Sequence, residues 1–120
     1  MQNYKDLKVW DKAHQLTLCI YKESKAFPKE ELYCLTTQLR RSSFSVAANI
    51  AEGCGKNSSA DFANFFNIAL GSANETEYFL LLAKDLHYLE GATFEALSAE
   101  VNEIKAMLIS LISRVRTPKA

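Results

Sequence analysis

The chain is poor in residues that interrupt a helix, with 2 prolines and 4 glycines among 120 residues. It therefore has few places to turn, and no stretch alternates as a half-buried strand would. It has no excess of either charge: 14 Lys+Arg balance 14 Asp+Glu, so no global field draws it to nucleic acid or an anionic membrane. The 3 cysteines, Cys19, Cys34 and Cys54, cannot all pair and form no CxxC, which points to a reduced, cytoplasmic setting. Cys19 and Cys34 are expected as small buried hydrophobes, and Cys54, beside two glycines, as exposed. Apolar runs such as "YFLLLA" are far too short to span a bilayer, and "MQNYKDLKVWDKAH" is too charged for a signal peptide.

Helical periodicity fills the space between the few breaks. At 120 residues one domain over 1–120 is the simplest organisation. Leu7, Trp10, Ala13, Leu16, Ile20 and Tyr21 predict a first helix over about residues 6–25, stopped by Pro28. Leu32, Leu35, Leu39, Val46 and Ile50 predict a second over about 30–51, closed by Gly53 or Gly55 as a left-handed cap. Ser58 to Asp61 resembles a capping box and opens a third, carrying Phe62, Phe65, Phe66, Ala69, Ala73, Phe79, Leu80 and Ala83 to about Leu89. Gly71 inside it costs about 1 kcal/mol relative to alanine, which predicts a close neighbour there. Thr93 can cap the fourth helix, in which Leu97, Val101, Ile104, Leu108, Leu111 and Val115 form a heptad stripe. Short connections between such helices favour an all-α, antiparallel up-down-up-down four-helix bundle.

The stretch "QLRRSSFSVAANIAEG" sits in the middle of the second helix. At about 100° per residue, Ser42, Ser43, Val46, Ile50 and Gly53 share the core side with the leucines. Arg41, Ser45, Ala48 and Glu52 form a separate stripe edged by Asn49, while Arg40, Phe44, Ala47 and Ala51 take the opposite flank. Small residues permit a close neighbouring backbone. The two arginines leave the helix in different directions, so they do not form one phosphate clamp. One reading makes them salt-bridge partners of Glu75 and Glu77, fixing the register of the second and third helices. In that case one arginine pairs with a glutamate and the other lies near Asn49 and Glu52. Breaking such a pair, if buried, costs about 3–5 kcal/mol. The other reading is phosphate contact through Arg40, Arg41 and Lys56.

The runs "YKDLKVWDKAHQL", "FPKEELYCLTTQLRRSSFSVAANIAEGCGK" and "DFANFFNIALGSANETEYFLLLAKDLHYL" together resemble the four-helix-bundle proteins of the 23S ribosomal RNA intervening-sequence family. The likeness runs by motif from about Tyr4 to Leu89 and continues beyond by helix pattern. It implies a left-handed bundle assembling as a homo-oligomer, a pentameric ring. More distantly the chain is similar to accessory variability proteins of diversity-generating retroelements, which work with a reverse transcriptase and RNA.

No enzyme signature emerges. "GCGKNS" lacks the preceding strand and the Ser or Thr directly after Lys56 that a P-loop needs. His14 and His87 stand far apart with no ligand partner at metal spacing, and no Ser/His/Asp arrangement is legible. No cofactor or metal is expected. Tyr78, Phe79, Leu80, Leu81 and Leu82 point all around the third helix, more apolar surface than one bundle face covers. With Trp10 and Phe44, this predicts a self-assembly surface on a non-catalytic scaffold or adaptor. RNA or DNA binding is the alternative.

Overall fold

A computed structural model describes residues 2–116, and these contain four α-helices and no strand. The expected domain span of 1–120 includes Met1 and residues 117–120, which lie outside the described residues. The helices are α1 (Lys8–Ser24), α2 (Thr37–Cys54), α3 (Ser59–Asp85) and α4 (Gly91–Arg116). Each packs on the next in sequence and α4 returns to α1, giving a four-helix bundle that measures 52 × 22 × 20 Å. Its core comes from one stripe per helix: Val9, Leu16 and Ile20 on α1, Leu39, Val46 and Ile50 on α2, Phe66 and Leu80 on α3, Val101, Ile104 and Leu108 on α4. Alanines 63, 69, 73 and 83 give α3 a flat inward face, fully buried against its neighbours. Among the described residues no helix is long and apolar enough to cross a membrane.

Several local expectations are corrected. The second helix is not continuous from residue 30: a single 3-10 turn (Lys29–Glu31) and a π-helical turn (Leu32–Thr36) precede α2, with Tyr33 at φ −98°, ψ 17°. That turn breaks the helical phase, so Leu32 is exposed while Leu35 and Leu39 remain in the core. Helix α2 runs on to Cys54, and neither glycine is left-handed, since Gly55 sits at φ −84°, ψ −2°. Gly53 is instead required by proximity: a Cβ there would lie 3.0 Å from the Phe66 ring and 3.1 Å from the Phe65 Cβ.

Gly71 is the reverse case, exposed and with nothing within 4 Å of an added Cβ, so no close neighbour among the described residues explains it. Helix α3 stops at Asp85, short of Leu89, because His87 takes the left-handed conformation (φ 64°). The Tyr88 N–H then donates to the Ala83 carbonyl and the His87 N–H to that of Lys84, both at 2.9 Å, a Schellman closure without its usual glycine. Helix α4 begins before Thr93, which lies in its first turn rather than capping it.

The cysteine expectations reverse. Cys19 and Cys34 are exposed, Cys19 on the outer side of α1 and Cys34 in the π turn, while Cys54 continues the inward stripe of Ile50 and is buried. Burial pushes the Cys54 thiol above its ordinary pKa, keeping it protonated. The heptad stripe of α4 also drifts: Ile112 is buried, while Leu111 and Val115 are only half-buried. A straight helix of 3.6 residues per turn slips about 20° per heptad, which brings residue 112 inward.

Candidate functional site: the polar seam between α2 and α3

Small side chains let α2 and α3 approach closely, and a row of polar groups runs along their contact. Ser42 and Thr76 are fully buried there, and the Thr76 hydroxyl lies 2.9 Å from that of Ser42 and 2.8 Å from the Ser72 carbonyl. The Ser42 hydroxyl donates in turn to the Leu39 carbonyl at 3.0 Å. One turn along, the Ser45 and Ser72 hydroxyls meet at 2.9 Å. Asn49 Nδ2 donates back to the Ser45 carbonyl and hydroxyl at 2.8 and 3.0 Å. Every hydroxyl in this seam has a partner, so its interior stabilises contact between the helices rather than waiting for a ligand.

Arg41 closes the seam at the surface. Its Nη2 donates to Glu75 Oε1 at 3.0 Å and its Nε to Gln38 Oε1 at 3.0 Å. The Arg41 and Glu75 side chains are 44% and 42% exposed, so this pair is an exposed one and not the buried pair considered from sequence. Among the described residues Glu77 pairs with no arginine. It faces Lys105 of α4 at 3.5 Å, and Lys105 also donates to Asn74 at 2.9 Å.

Arg40 turns the other way, and not toward Asn49 and Glu52. Its Nε donates to the Ser24 hydroxyl at 2.8 Å, its Nη2 to the Tyr21 carbonyl at 3.4 Å, and its guanidinium lies 4.8 Å from the Tyr21 ring centroid. It therefore ties α2 to the end of α1. Lys56 sits after α2, 3.7 Å from Glu52 and 5.1 Å from the Phe65 ring centroid, beside a cleft of about 420 Å³ reaching Ser58 and Val115. Arg40, Arg41 and Lys56 thus engage α1, α3 and Glu52 respectively, each with partners of its own.

The two histidines stand in a ring stack and in a turn. His14 stacks on Trp10 (centroids 5.1 Å apart), and His87 serves the turn after α3. No group of His, Cys, Asp and Glu with metal-binding geometry occurs among the described residues. Sequence reasoning missed the hydrogen bond from the Tyr88 hydroxyl to Glu31 Oε2 at 2.9 Å, which ties the α3–α4 turn to the segment before α2. That bond, then burial and the Glu31 charge, raise the Tyr88 pKa above its ordinary value of 10.0. It also missed Ser24 and Thr36, whose only signal was their nearness to the break at Pro28.

No protein of curated function matches the chain significantly. Among solved structures, a protein of unknown function from the S23 ribosomal protein family of Bacteroides thetaiotaomicron VPI-5482 superposes with a TM-score of 0.81. It is 36% identical to this chain, and the match covers 87% of this chain and 97% of the other. The family model of the 23S rRNA-intervening sequence proteins matches residues 5–110, nearly the whole of the four helices. The chain is a member of the 23S rRNA-intervening sequence protein family.

Proposed function

We propose that this protein is a non-catalytic, cytoplasmic scaffold or adaptor, a single bundle domain that works as a homo-oligomer. The observation that carries this reading is the outward stripe of α3. From Asn64 to Leu81 its exposed residues are Asn64, Asn67, Ile68, Gly71, Asn74, Glu75, Tyr78 and Leu81. Glu75 alone is charged, and Arg41 already neutralises it. A solvated helix face carries lysines and glutamates, whereas amides, small residues and uncovered Ile68, Tyr78 and Leu81 suit a subunit interface depleted of charge. Gly71 then gains a reason: in the assembly a neighbouring helix approaches where a side chain would stand.

The bundle is read as antiparallel up-down-up-down and left-handed. Support comes from the descending register of the α2–α3 seam, in which Arg41, Ser45 and Gly53 meet Glu75, Ser72 and Phe66. The pentameric ring rests on the family resemblance. Light scattering at micromolar concentration tests the reading: a mass of about five times the 13.5 kDa of one chain is expected, and a clean monomer contradicts it.

RNA or DNA binding through Arg40, Arg41 and Lys56 is the weaker reading, because these cations face different ways and each has partners within the chain. Retention of structured RNA that weakens linearly on a log–log salt plot would restore it.

A further inference from the structure

The corner where α1 ends holds a pocket of about 230 Å³, walled by Phe27, Pro28 and Leu32 and edged by Lys25, Lys29 and Arg40. Two hydroxyl residues complete it, Ser24 and Thr36. No acidic side chain lines it, and none of its three cations forms an ion pair among the described residues. Three cations without an ion pair, gathered beside an apolar wall, attract an anion. Thr36 adds a second and independent sign. It is 3% exposed, and its hydroxyl is the one buried side-chain polar atom among the described residues that finds no hydrogen-bond partner. A native buried hydroxyl with no partner calls for a missing one.

We infer that this corner pocket binds a small carboxylate carried on an apolar body, with Arg40 taking the carboxylate and Thr36 completing its hydrogen bonds. Arg40 spends its Nε and Nη2 on Ser24 and Tyr21, which holds the guanidinium half-buried at the pocket edge with donors to spare. The carboxylate accepts from those donors, and the Thr36 hydroxyl, which has no partner within the chain's described residues, donates to it. Lys25 and Lys29 supply the outer field. Leu32, rotated out of the core by the π turn, covers the apolar body together with Phe27 and Pro28. The volume falls below the roughly 300–1,000 Å³ of drug-sized sites, which limits the ligand to about the size of benzoate.

Thermal melting of the full chain with benzoate, with neutral benzamide and with inorganic phosphate tests the inference. Benzoate at about ten times its dissociation constant should raise Tm by about 5 °C. Benzamide, lacking the charge, and phosphate, lacking the apolar body, should shift it far less. Thr36→Val keeps the shape and removes the orphan hydroxyl, so the free protein should melt at the same temperature or higher. Its affinity for benzoate should fall by about tenfold, the effect of a hydrogen bond to a charged group. Arg40→Met should abolish the preference for benzoate over benzamide. Equal shifts from benzoate and benzamide, tighter binding of phosphate than benzoate, no shift from benzoate, or an unchanged affinity in Thr36→Val would each overturn it.

Discussion

Arg41 shows how a single residue's worth depends on its exposure. Its bond to Glu75 has good length, but both partners are over two-fifths exposed, so water competes for each. Arg41→Ala should therefore cost only about 0.2–1 kcal/mol in urea unfolding, well short of the loss for a buried pair. A double-mutant cycle with Glu75→Ala should return a coupling of the same size, and the cycle with Glu77 should return none. A coupling of several kcal/mol with Glu75 would mean that the pair is shielded in solution. The cysteines give a second residue-scale test. Cys19 and Cys34 are exposed and Cys54 is buried with its thiol held protonated, so a neutral-pH thiol reagent should label the first two quickly. Cys54 should react only on unfolding. Fast labelling of all three in the native protein would contradict this packing.

Among the elements, Gly53 and Gly71 receive opposite predictions from one substitution. Gly71→Ala meets open space and should stabilise the subunit by about 1 kcal/mol through helix propensity. Gly53→Ala drives a methyl to 3.0 Å from the fully buried Phe66 ring, an overpacking cost of about 1–3 kcal/mol that exceeds the same propensity gain. At dilutions where the chain is monomeric, urea midpoints should move in opposite directions, and movement in one direction would contradict the packing. From sequence, periodicity places all four helices because their apolar stripes are long. It also places Ser42, Ser43 and Gly53 on the inner face of α2. Which glycine faces a neighbour is not legible, since that depends on α3 and not on the local chain. Nor is the π turn at Leu32–Thr36, because an inserted residue leaves the apolar pattern almost intact while turning Leu32 outward. The same holds for the end of α3: His87 closes it by taking a conformation usually left to glycine.

For the whole molecule, the shifts at Tyr88 and Lys12 make an alkaline limit. Tyr88 is raised by its bond to Glu31, and Lys12 by its bond and proximity to Glu103 at 3.1 Å. Both folded pKa values lie above the unfolded ones, so this stability is fully present below the ordinary values of 10.0 and 10.5 and is lost as pH rises through the folded values. Tyr88→Phe should flatten the fall of Tm above pH 10, and an unchanged slope would remove Tyr88 from the account. Assembly is the larger claim, and it rests on the uncharged outer stripe of α3. Gly71→Arg places a long cation at the centre of that stripe, in space that is open within the single chain. The decisive measurement is the mass of this variant by light scattering beside that of the unmodified protein. An oligomer for the unmodified chain and a folded monomer for Gly71→Arg, with equal helical circular dichroism, is the result expected. An unmodified chain that is already monomeric, or a Gly71→Arg variant that assembles equally well, would contradict the account.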